Sequence, residues 1–148
     1  MALVLSDLGA DQILKSYFNK SQPVGGNNLT LKLYTTNITP NPNGGDTAAA
    51  YNAAEAAGPG YAAITLTAGS WTVTPANDPS DAVYAQQTFT FTGPLTSTAK
   101  DIYGYYVVDA DGILIWAEKA SGPFTPANNG DTYKITPKFQ MSWGVPAA

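Results

Sequence analysis

Asp109-Ala-Asp-Gly112 could be half of a calcium loop, since two carboxylates stand one residue apart before a glycine. An EF-hand needs oxygen ligands at loop positions 1, 3 and 5, glycine at 6 and a bidentate glutamate at 12. Counted from Asp109, positions 5, 6 and 12 are Ile113, Leu114 and Ala120, so the pattern fails three times. Asp-Gly between two β-rich runs is instead a strong hairpin signal. The expectation is a turn.

Acid–base chemistry fares no better. Paired carboxylates in a cleft would suit glycoside hydrolysis, but the only glutamates are Glu55 and Glu118. Most aspartates sit in turn or cap contexts: Asp46 before a helix, Asp78 and Asp81 in a proline loop, Asp131 after Asn-Gly. Glu118 closes the strand-like run ILIWAE and is the one acid in apolar surroundings. It is expected to pair with a lysine or to lie at a subunit edge. Without histidine or cysteine there is no imidazole base, thiol nucleophile, disulfide or zinc-finger site. For a Ser-Lys dyad, Lys15 and Ser16 are neighbours that cannot face each other on a helix. Gly25-Gly26 and Gly44-Gly45 precede no Lys-Ser/Thr pair and read as turns rather than phosphate cradles. The chain is therefore expected to be non-enzymatic, with no catalytic residue, no cofactor and no metal.

The elements that would carry any site are short. Ser6 and Asp7 can start a helix over 6–19, with Ala10, Ile13, Leu14, Tyr17 and Phe18 on one face. A polar arm follows to Asn28. Leu29–Thr35 alternates, leucines on one side and Thr30, Lys32 and Tyr34 on the other, as a half-buried strand does. The alanine-rich run 47–57 predicts a second short helix stopped by Gly58-Pro59. Extended runs are then expected at 61–67, 70–74, 83–92, 102–109, 113–118, 132–136 and 138–143. About eight short strands and two helices in 148 residues predict one domain: helix and arm over 1–28, and an antiparallel, jelly-roll-like β-sandwich over 29–148. An immunoglobulin-like sandwich is the competitor, without its Cys-Trp-Cys hallmark.

Charged residues are 12% of the chain, about half the usual ~25%. Such a surface suits lying against something. The basic residues are seven scattered lysines with no arginine, which argues against a nucleic-acid partner. No apolar run approaches the roughly 20 residues that span a bilayer, so no membrane partner is expected either. The opening Met1-Ala-Leu-Val-Leu5 is too short for a signal h-region, which sets the expectation of a chain made and assembled in the cytosol.

The aromatic residues are the informative ones. In Ile102-Tyr-Gly-Tyr-Tyr-Val-Val108, strict alternation puts Ile102, Gly104, Tyr106 and Val108 on one face and Tyr103, Tyr105 and Val107 on the other. Both faces are apolar, as they are in Ile113–Ala117. A strand apolar on both faces needs cover on both. The N-terminal helix could supply part of the second cover, and a second subunit is the expected source of the rest. The interface candidates are Tyr103, Tyr105, Val107 and Trp116, with Tyr17 and Phe18 on the helix.

GYYVVDADGILIWAE at 104–118 and NNGDTYKITPKFQMS at 128–142 resemble small structural proteins of tailed-bacteriophage virions. The opening MALVL and LTLKLYTTNITP at 29–40 share the likeness. The resemblance implies a capsid cement or decoration protein: β-rich, often a homotrimer, bound over junctions of the major capsid protein on the capsid surface, and assembled in the host cytoplasm. Two alternatives stand beside it. One is a receptor- or carbohydrate-binding fibre module, using Trp71 and the loop 75–82. The other is a low-copy tail or neck component.

Overall fold

The computed structural model describes residues 4–5, 28–41, 46–74 and 80–141. The helix expected over 6–19, with Tyr17 and Phe18, lies outside these residues, as do most of the arm and Trp143.

The chain is mainly β, with antiparallel sheets and, among the described residues, one short α-helix and no closed barrel. The largest sheet runs in the order β1 (Val4–Leu5), β8 (Leu114–Phe124), β7 (Ile102–Val108), β2 (Leu29–Tyr34), β3 (Ile64–Leu66). A three-stranded sheet joins β10 (Lys138–Met141), β5 (Ser80–Val83) and β4 (Thr72–Thr74). A two-stranded sheet pairs β6 (Gln87–Thr90) with β9 (Thr132–Ile135). A 3-10 turn spans Ala68–Ser70, and helix α1 covers Ala48–Ala53.

The 83–92 run, expected as one strand, is two. Val83 pairs with Lys138 in one sheet and Gln87 with Ile135 in the other, so residues 84–86 lie opposite only 136 and 137. Pro137 has no N–H to donate, and a ladder cannot continue through it. Its carbonyl still accepts from Tyr84 N at 2.9 Å. The extra residue on the other strand makes a bulge, and both strands change sheet at it.

The hairpin of β7 and β8 turns at Asp109. The Asp109 carboxylate oxygen Oδ1 accepts the amides of Asp111 at 3.0 Å and Ile113 at 2.8 Å. Gly112 takes φ 80°, a conformation that suits glycine. The tetrapeptide is the turn that its Asp-Gly pair predicts.

Alternation along this hairpin breaks twice. Val107 faces Trp116 and Val108 faces Leu114, leaving Ile115 as an extra residue. Ile115 and Trp116 consequently enter the same core cluster, while Leu114 and Ala117 enter a second one on the other face. The register shifts again between Ile102 and Gly104. There Ile102 joins Tyr105 and Val107, rather than Tyr106 and Val108 as strict alternation would have it.

The first cluster combines Leu31, Leu33, Tyr105, Val107 and Trp116 of the large sheet with Phe89 and Ile135 of the two-stranded sheet and Tyr84 from the link between β5 and β6, and Phe139 of β10 packs against it. The second gathers Tyr34, Tyr106, Val108, Leu114 and Ala117 beneath Tyr51 and Ala54. The cover over the second face thus comes from the chain itself. Helix α1 and its flanks form a strap across the sheet, so both faces of the hairpin have cover from within the chain. Helix α1 is shorter than its alanine run because residues 54–56 pair with the end of β2 instead. Thr35 N donates to Ala54 O at 2.7 Å and Ala56 N to Leu33 O at 2.9 Å.

Candidate functional site

Among the described residues, ionisable, amide and phenolic groups converge from separated parts of the chain at the seam between strap and sheet. Lys32 and Tyr106 are direct cross-strand partners on β2 and β7, and their side chains share the strap face. Glu55, just past α1, closes over them. Lys32 Nζ lies 2.9 Å from Glu55 Oε2. Tyr61 OH donates to Glu55 Oε1 at 3.0 Å, and Tyr106 OH approaches Oε2 at 3.4 Å. Tyr106 OH also donates to Asn52 Oδ1 on α1 at 2.8 Å. Tyr51 fills the space beneath, its ring 5.2 Å from that of Tyr34 and 5.3 Å from that of Tyr106.

These contacts set the electrostatics. Burial pushes the Tyr106 hydroxyl well above the ordinary tyrosine range, and the Glu55 carboxylate adds to it. Burial does the same to Tyr61, again reinforced by Glu55. Tyr51 is raised by burial and by Asp46, whose Oδ2 accepts its hydroxyl at 3.1 Å. All three stay protonated as donors at neutral pH. Each is committed to a carboxylate or amide acceptor that holds the strap. The arrangement can fasten one layer to another, and a lysine already paired with a carboxylate in this way is a fastening rather than a nucleophile.

A second polar contact lies on the opposite face. Tyr105 and Glu118 are cross-strand partners, and the Tyr105 hydroxyl donates to Glu118 Oε2. Burial, with this bond and charge, raises the Tyr105 hydroxyl. Glu118 was expected to meet a lysine or a subunit edge; its partner is a core tyrosine, while Lys119 reaches Thr39 at 3.0 Å. The indole nitrogen of Trp116 is buried without a hydrogen-bond partner among the described residues.

The interface candidates divide accordingly. Tyr105 is 3% exposed, Val107 0% and Trp116 2%, so they present no surface to a partner. Tyr103 is half-buried at the margin of the second cluster, and Tyr17 and Phe18 lie outside the described residues. Trp71 is also half-buried, with Tyr84 at 5.1 Å and Trp116 at 6.2 Å, both edge-on. Its contacts are those of a core-edge residue.

Sequence reasoning passed over Glu55, Lys32 and Asn52. The available signal was a single acid inside an alanine-rich segment, three residues before the helix-stop signal at Gly58-Pro59. A lone glutamate there has no solubilising neighbours, and its position three residues past Asn52 carries both toward the sheet.

No protein-family model matches the sequence, and no curated protein or solved structure matches it either.

Proposed function

We propose that this chain is a non-enzymatic structural protein of a tailed-bacteriophage virion, a capsid cement or decoration protein that binds over junctions of the major capsid protein. The observation that carries the reading is the resemblance along 104–118 and 128–142. Those segments form the β7–β8 hairpin and the β9–β10 run, the frame on which the other elements are hung. Support also comes from a surface with few charges and from polar groups committed to internal fastening. The same reading makes the fold a jelly-roll-like β-sandwich, in keeping with a first cluster shared by the large and the two-stranded sheets, against which Phe139 of the third sheet packs.

The mechanism is surface burial. A specific contact buries about 1,600 Å² in total, and a homotrimer touching several capsid subunits gains avidity without any single tight contact. The hairpin does not supply these contacts, because its rings are inside. Quantifying the protein in purified particles tests the proposal. A copy number comparable with that of the major capsid protein supports it. A handful of copies would make the chain a tail or neck component, and absence from the particle would end the reading.

A further inference from the structure

Asn-Gly is the dipeptide most prone to deamidation, because glycine leaves its own amide nitrogen unhindered. That nitrogen attacks the asparagine Cγ, the Cγ–N bond breaks and ammonia leaves. Water then opens the resulting succinimide to aspartate or isoaspartate. The attack needs a backbone N–H that is free to lose its proton and to swing onto the side chain.

At Asn129-Gly130 both residues are exposed, yet the nucleophile is tied. Gly130 N donates to Phe91 O at 2.8 Å, and Phe91 N donates back to Asp131 O at 2.8 Å. These two bonds continue the β6–β9 ladder one step past Thr90–Thr132. They are anchored by Phe91, which is 0% exposed. The turn is braced from the other side as well. Asp131 Oδ2 accepts the amides of Ala127 and Asn128, both at 2.8 Å, and Asp131 N donates to Asn128 O at 3.3 Å. Moving Gly130 N onto Asn129 Cγ means opening this ladder end first, and local opening has its own equilibrium.

We propose that Asn129-Gly130 is a gated deamidation site, inert in the closed fold and converted once the turn opens. The conversion is one-way in effect. Isoaspartate adds an atom to the main chain immediately before Gly130, whose N–H pairs with Phe91. Either product sets a new carboxylate beside Asp131, where like charge opposes re-closing.

The experiment is peptide mapping by mass spectrometry after incubation in mildly alkaline buffer. Mapping is required because Asn43-Gly44 carries the same dipeptide. Deamidation at Asn129 in the folded protein is expected to run at least about tenfold slower than in a free peptide spanning 124–136. Equal rates in protein and peptide would overturn the proposal. Asp131→Ala removes the brace and is expected to raise the rate in the folded protein, with the matching peptide unchanged. An unchanged protein rate in a variant that circular dichroism shows to be folded would also count against the gate. If that variant does not fold, the wild-type comparison still decides.

Discussion

A methyl group at position 104 would land on the Glu118 carbonyl oxygen and 2.6 Å from the Tyr34 hydroxyl. Tyr34 is there for a reason: its OH donates to Glu118 O at 3.3 Å, across β7. The ring can cross the strand only where there is no side chain, which makes Gly104 a gap for Tyr34 rather than a flexible joint. Gly104→Ala is expected to destabilise the fold by about 2–3 kcal/mol, the upper range for overpacking a filled core. Urea unfolding with an unchanged m-value would record it, and a loss below about 0.5 kcal/mol would mean that the ring finds another place. The Asp109 turn gives a second residue-scale expectation. Its carboxylate is occupied by the turn's own amides, so adding calcium or EDTA should leave the melting temperature where it was. Asp109→Ala, by contrast, should lower stability by about 1 kcal/mol, the usual worth of a side-chain cap. A calcium-dependent rise of several degrees would overturn the turn assignment.

At the scale of elements, the strap decides which face of the large sheet is wet. Tyr51 is its wedge, 0% exposed between Tyr34 and Tyr106. Tyr51→Ala should cost about 3–5 kcal/mol, as truncating a buried aromatic does. Tyr51→Phe loses only the bond to Asp46, worth about 1 kcal/mol. If both variants cost the same, the hydroxyl rather than the ring holds the strap. The buried tyrosines also set an alkaline limit. Burial raises Tyr34, Tyr51, Tyr61, Tyr105 and Tyr106 in the folded state, above an unfolded value of about 10. Their contribution to stability is complete below about pH 10 and is lost as pH rises toward the folded values. Tyrosinate absorbance for this set should therefore appear together with the loss of circular dichroism. A smooth titration near pH 10 in a still-folded protein would refute the burial argument.

This scale also separates what could be read in advance from what could not. The β7–β8 hairpin, the alternation of β2 and a short helix near 48–53 follow from local pattern, because local chemistry suffices for them. The break of 83–92 was hidden in a run of good strand formers. Its cause, Pro137, sits on the partner strand some fifty residues away, where no local rule looks. The extension of β8 through Gly122-Pro123 was hidden for the opposite reason, since those residues signal a loop. The doubly apolar hairpin was legible as a demand for cover. Its supplier was not, because an alanine-rich segment shows little apolar moment and its one large residue, Tyr51, does most of the covering.

For the whole molecule, the proposed docking has to work with few charges. The sequence holds seven lysines against eleven acids, a formal net charge of −4. Several of these are engaged internally: Lys32 with Glu55, Lys138 with Asp81 at 2.9 Å, and Lys100 with the Leu95 carbonyl at 2.8 Å. Contacts to a capsid lattice would then rest on neutral polar and apolar surface, whose burial does not depend on counterions. Raising ionic strength from about 0.1 M to 1 M shortens the Debye length from ~10 Å to ~3 Å. Charge-driven docking would weaken steeply over that range; docking by burial would hold or tighten slightly. Co-sedimentation with particles stripped of this protein is expected to give a bound fraction that changes by less than about twofold across the range. The oligomer should behave alike, because burial does not distinguish one neutral surface from another: a trimer mass in sedimentation equilibrium that persists at high salt. A particle that sheds the protein as salt rises would place the contact on the few free charges. A chain that stays monomeric at high concentration would remove the avidity that the proposed capsid attachment requires.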